Sequence, residues 1–309
     1  MTQQIPKKIA IQIVQHKDIE YIKNCLDSIY QSNTDGLLVD IYVLDNNTDD
    51  GSYEFVKNNY PSVFLIRSTK KNCFVWNQNY LFQLTKDKYD YIWVLNNDTI
   101  INEFSIIQLI QAFKYDLSLG IVGPQLYYCS GEKQNSGGNL TFFSRFYTIF
   151  RIRDLISIKN RNRIKVLINF FKGGSKKNVS NNIVYKQCIS GAAMMIRSEV
   201  IKEIGIFDIN LSMYGEDSEY CIRALKNGFR NAIVKDAKVT HIHSPKYDND
   251  TQYKIIFGMF YLMHKYHYPQ IYYWFIAVLL YIKYIPSFFI KKDTSIYKIL
   301  KIPRIVKDI

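Results

Sequence analysis

No glycine-rich phosphate loop follows any apolar run of this sequence. That excludes the Walker and dinucleotide-fingerprint ways of cradling a diphosphate. Cysteine is scarce: five residues, scattered, with no CxxC pair and no disulfide-like spacing. A disulfide framework and a zinc site are both disfavoured, and reduced thiols in a cytosolic chain are expected. The N-terminus, MTQQIPKKIAIQIV, has no long apolar run ahead of a small-residue cleavage site, so it does not read as a secretion signal. Acidic residues fall short of basic ones, 27 against 40, which leaves a net charge of +13. This balance points to an anionic partner: nucleic acid, anionic lipid or a phosphorylated substrate. Apolar residues are not lacking. They make up 48% of 309 residues, enough for one large domain or two.

The first half alternates between strand and helix patterns. Lys8–Val14 is a short β-branched run and reads as a buried strand. Asp18 caps a segment in which Ile19, Ile22, Leu26 and Ile29 recur at helical spacing. Val39–Leu44, Ser62–Ile66 and Tyr91–Leu95 read as further strands, with a short helix after Gly51 and another around Trp76–Leu84. Trp76 itself reads as core, or else as a pocket-lining residue. The alternation predicts parallel pairing through right-handed crossovers, with ligands bound beyond the carboxyl ends of the strands. Asp45 and Asp98 both stand at such ends. Locally, Asp45 also fits a helix cap or Asx turn, and Asp98 a turn before a helix near Asn102. A nucleotide diphosphate here needs a counter-charge other than a glycine loop. Mg2+ or Mn2+ on Asp98 would supply it, since both prefer oxygen ligands and leave positions open for phosphate.

VLDNNTDDGS (Val43–Ser52) and WVLNNDTII (Trp93–Ile101) resemble the nucleotide-binding half of an inverting glycosyltransferase of family two, with the GT-A fold. Ile189–Asp208, Met213–Phe229 and Asp236–Ser244 resemble, in order, the acceptor-side motifs of its rhamnosyltransferase-like branch. The resemblance implies an α/β, Rossmann-like, mostly parallel sheet flanked by helices, with a C-terminal helical extension. It divides the chain into a catalytic domain over 1–244 and a helical region over 245–309. Within the first, 1–125 is the nucleotide-sugar half, and 126–244 is the acceptor side. Metal falls to Asp98, with His241 favoured over His243. Asn96 stands where relatives often carry a second aspartate. Donor contacts fall to Gln15, Asp45, Asn72, Asn79 and Asn97. Lys71–Phe82 lacks the glycines that relatives show between two asparagines. Ser136–Asn139 matches a family turn near the acceptor.

MYGEDSEYCIRALKNGF carries the expected chemistry. Acidic residues favour a helix N-terminus whatever their role, and this accounts for Glu216, Asp217 and Glu219 equally. The resemblance singles out Asp217 as general base, with Glu216 orienting it or binding acceptor hydroxyls. It implies transfer from a UDP- or dTDP-sugar to a glycan or lipid-linked saccharide, in surface polysaccharide synthesis. The alternative is a non-catalytic basic module that binds membrane or nucleic acid.

Arg145–Lys177 is strongly basic with interleaved apolar residues. It fits an insertion lying on anionic lipid, or else a solvated loop, and no nucleic-acid motif accompanies it. Ile271–Ile290 is long enough to span a bilayer but is broken by Lys283 and Pro286. It reads as an interfacial anchor, which would place the protein peripherally on the inner face of the cell membrane. The other reading is a helix buried against the catalytic domain or between copies in a homo-oligomer.

Overall fold

A computed structural model describes residues 6–139, 182–242, 248–291 and 294–306, without the side chains of 286–297. The basic stretch Arg145–Lys177 and His243 lie outside the described residues. The chain divides into two compact units.

The first unit is built on a nine-stranded sheet, with β7 and β9 forming a separate two-stranded one. β1 (Lys7–Gln15), β2 (Leu37–Asp45), β3 (Phe64–Arg67) and β4 (Tyr91–Asn96) pair in parallel in the order β3-β2-β1-β4. Between them run α1 (Ile19–Tyr30), α2 (Ser52–Asn59) and α3 (Phe74–Thr85). β1 and β4 are near-continuous apolar runs because both faces are covered: Ile9, Ile11, Ile13, Trp93 and Leu95 are all buried. α1 follows its sequence pattern, with Ile22, Leu26 and Ile29 inward and the Asp18 carboxylate accepting from the Glu20 N–H at 3.1 Å.

Past β4 the sheet becomes mixed. β5 (Thr99–Ile101), α4 (Ser105–Tyr115), β6 (Leu119–Tyr127), β7 (Gly137–Gly138), β8 (Ile183–Lys186), β9 (Cys188–Ile189), β10 (Ala193–Arg197), α5 (Ser198–Ile204), α6 (Glu216–Lys226) and β11 (Arg230–His241) follow in the chain. β10 runs antiparallel to β4 and β6, while β11 is parallel to β6 and antiparallel to β5 and β8. The helix expected near Asn102 begins at Ser105 instead. The preceding residues are taken by β11: the Asn102 N–H and the Ser105 hydroxyl both donate to the Lys238 carbonyl.

The second unit holds α7 (Asn249–Lys265), α8 (Gln270–Lys291), α9 (Thr294–Ile305) and the short piece Met213–Gly215. This unit resumes at Pro245, next to the expected boundary at 244, and takes in Met213–Gly215 from earlier in the chain. A Cβ on Gly258 would overlap the Tyr214 carbonyl, so a glycine in mid-helix, otherwise unfavourable, lets that piece settle against α7. One face of α8 is core: Tyr273, Ile276, Ala277, Leu280 and Tyr284 are buried, and Phe260 meets Tyr273 edge-on at 4.8 Å. Among the described residues, no helix is long and apolar enough to cross a membrane.

Candidate active site

Of the three acids in the first turn of α6, Glu219 is committed elsewhere. It is fully buried and forms a bidentate pair with Arg223 at 2.8–3.0 Å. Arg223 in turn donates to the carbonyls of Ile204 and Ile206. Glu216 and Asp217 remain. Asp217 accepts from the Gly191 N–H at 3.1 Å and from the Ser218 N–H at 2.6 Å. Burial nevertheless pushes its carboxyl above the usual range, outweighing these two donors.

The loop facing Asp217 is cut to fit it. A Cβ on Gly191 would lie 3.3 Å from the Asp217 Cβ and 3.8 Å from Glu216 Oε1. One residue on, the Ala192 carbonyl accepts the Asn96 N–H at 2.9 Å. The carboxyl end of β4 and the N-terminus of α6 thus share one short backbone bridge. The Ser136–Asn139 turn braces it from behind: Gly137 pairs with Ile189, and a Cβ there would overlap the Cys188 carbonyl.

Asp98 and His241 do come together. β5 pairs with β11 so that Thr99 faces His241, and the Ile242 N–H donates to the Asp98 carbonyl at 2.8 Å. His241 Nε2 stands 3.2 Å from Asp98 Oδ1 and 3.5 Å from Asn96 Nδ2. Asp98 is buried, and its Oδ1 lacks a hydrogen bond within the protein. The far nitrogen of the ring, Nδ1, lies 3.2 Å from Gln134 Oε1. A protonated Nδ1 donating to that oxygen leaves the Nε2 lone pair turned toward Asp98, the tautomer a metal requires. Among the described residues no group of three or more His, Cys, Asp or Glu could hold an ion. An orphaned carboxylate oxygen beside an oriented imidazole does fit a cation that takes its other ligands from phosphate and water.

The five residues expected at the donor are held less freely. Asp45 is fully buried, accepts from the Thr48 hydroxyl at 2.5 Å and lies 3.6 Å from Arg67 Nε. Gln15 donates to the Ser52 hydroxyl at 3.0 Å and accepts from Asn97 at 2.8 Å, so this pair ties the Asn96–Asp98 turn to the start of α2. Asn72 is clasped to Asn46 through its backbone, and Asn79 exchanges two 2.9 Å bonds with the backbone of Phe207. Asn77 was not anticipated. It is fully buried on α3, and neither atom of its amide finds a hydrogen-bond partner in the protein. Trp76 is not core: it is 49% exposed and stacks on Tyr80, because Val75, Leu81 and Phe82 take the inner face of the helix.

The pattern of the family described as "Glycosyltransferase like family 2" matches residues 6–254. No curated protein gives a significant match. Among solved structures, GalNAc-T7 with UDP, GalNAc and Mn2+ superposes with a TM-score of 0.61 at 12% identity, over 85% of this chain and 48% of that one. The mannosyltransferase PcManGT of Pyrobaculum calidifontis, with GDP-Man and Mn2+, gives 0.54 at 12% identity, over 82% and 62%. Staphylococcus aureus TarS 1-349 with UDP-GlcNAc gives 0.53 at 13% identity, over 81% and 64%. The chain therefore spans between about half and two thirds of these neighbours' lengths. Such identities speak for the fold alone, which is GT-A. The match over residues 6–254 says more: the chain belongs to glycosyltransferase-like family 2.

Proposed function

We propose that the protein transfers a sugar, with inversion, from a nucleotide-diphosphate donor (a UDP- or dTDP-sugar) to a hydroxyl of a glycan or lipid-linked saccharide in surface polysaccharide synthesis. The work is placed at the cytosolic face of a membrane. One observation carries the reading: the Asn96–Ala192–Gly191 bridge joins the Asp98–His241 pair to Asp217. A cation site and a base at one strand edge suit a reaction in which diphosphate leaves as a hydroxyl attacks.

Asp217 takes the acceptor proton. Its raised affinity for protons brings it toward neutrality, where a base works best, and the two N–H donors keep it aimed. Glu216 lies beside it to receive acceptor hydroxyls. Asp98 and His241 would hold Mn2+ or Mg2+, which when bound would offset the charge growing on the leaving diphosphate. The test is a panel of nucleotide sugars with and without Mn2+, read as release of nucleoside diphosphate. One donor should be turned over in a manner that depends on Asp217. Turnover of none, with or without acceptor saccharides, would count against the proposal.

Two further outcomes are expected. Gln134→Leu lowers Mn2+ affinity by about 10- to 100-fold, because the imidazole loses the partner that sets its tautomer, while Gln134→Glu keeps it. Electron paramagnetic resonance of free Mn2+ in the presence of UDP reads this without any turnover. Gly191→Ala lowers kcat by about tenfold, because the new methyl presses on Asp217, and small misplacements of a reacting group are costly. Its melting temperature should stay near that of the wild type, with KM little changed.

A further inference from the structure

α8 has two apolar faces, and only one of them is core. The other presents Ile271, Trp274, Phe275, Val278, Ile282 and Ile285 to solvent, with Ile271 74% and Ile282 65% exposed. At about 100° per residue these six fall on one side of the helix, a stripe about 20 Å long with no charge in it. Single exposed apolar residues need no explanation, but an unbroken row of six does. Tyr281 marks one edge of the stripe, and its hydroxyl donates to the Leu300 carbonyl on α9 at 2.9 Å. Lys298 and Lys301, both exposed, flank Leu300 in the chain, and Arg304 is exposed a turn further on.

We infer that this face of α8, with the basic rim of α9, docks the protein onto an anionic lipid bilayer without crossing it. The inference refines the membrane placement proposed above by naming the surface that makes contact. Apolar side chains flanked by Lys and Arg match both layers of a bilayer surface, the acyl boundary and the anionic headgroups. Trp274 and Tyr281 are amphipathic rings of the kind that settle at that boundary. Among the described residues, α8 is not long and apolar enough to cross a membrane. A second copy is the poorer fit: a twofold contact through this stripe would bring two basic rims together.

The experiment is flotation of the full chain with vesicles of phosphatidylcholine alone and of phosphatidylcholine mixed with phosphatidylglycerol. Binding should favour the mixed vesicles by about tenfold or more. Trp274→Ser with Ile282→Ser should weaken binding to both kinds by about tenfold or more, since each exposed apolar side chain contributes its own transfer energy. Replacing Lys298, Lys301 and Arg304 with Gln should remove only the preference for phosphatidylglycerol. Brominated phosphatidylcholine should quench the emission of Trp274 in the otherwise native chain, as identified by its loss in Trp274→Phe. Unchanged binding in the double variant, absence of quenching, or a dimer that the double variant splits without any vesicle binding would each overturn the inference. Donor turnover in free solution should be the same in wild type and double variant, so failure here leaves the transfer reading standing.

Discussion

Asp217→Asn should lower kcat by about 10²–10⁴-fold, the usual worth of a positioned base, while the donor binds as before. The amide oxygen can still accept from Gly191 or Ser218, so the loop stays in place. The wild-type pH profile should carry the signature of the same residue. Burial raises the Asp217 carboxyl above its ordinary value, so kcat/KM falls on acidification at a higher pH than an exposed aspartate would give. The stability effect has the opposite sense. A carboxyl that holds its proton more tightly when folded favours the fold below its unfolded value, and this advantage is lost as pH rises through its folded value. Above that folded value the wild type carries the penalty of the buried charge. Asp217→Asn should therefore melt no earlier there than the wild type. A variant that melts well below the wild type would mark Asp217 as a structural cap, and one active within a few-fold would remove it as the base.

Asp98→Ala should abolish the response to Mn2+ and Mg2+, and lower kcat/KM by about a hundredfold or more. Several kcal/mol of charge stabilisation is what a bound cation supplies to a leaving phosphate, and each 1.4 kcal/mol is about tenfold. The fold has little to lose. The Asp98 side chain is buried, its Oδ1 makes no hydrogen bond within the protein, and the strand bond from Ile242 goes to its backbone carbonyl. Its melting temperature should hold or rise, since a buried carboxylate oxygen without a hydrogen bond is removed. His241→Ala should weaken the metal response in the same direction. If Asp98→Ala instead unfolds early and keeps its metal response, the turn reading of that aspartate is correct.

Those acids were only partly separable in the sequence. Strands such as Tyr91–Leu95 are legible because burial on both faces demands an unbroken apolar run, and α1 because one inward face leaves a period of 3–4. Glu216, Asp217 and Glu219 look alike along the chain. They part only when Arg223 and the carbonyls of Ile204 and Ile206 claim Glu219. Gln134 carries no local signal, since its role exists only where β11 ends beside it. Trp76 misleads because a large aromatic in an apolar helix suggests core, whereas its place on the wheel turns it outward. α8 is ambiguous for a physical reason: a helix apolar on both faces reads alike whether the second face meets protein or lipid.

The three-residue strand Thr99–Ile101 has a consequence for how the molecule reaches its working state. Asn96 and His241 are 145 residues apart in the chain, yet they meet because β5 zips onto β11, the last strand of the sheet to be made. Contacts of such long separation form late, after the loop between them has closed. A nascent chain could complete β1 to β4 on leaving the ribosome and still have no imidazole beside Asp98. Tight Mn2+ capture would then report that the whole first unit has assembled, and partly folded chains would not sequester the ion.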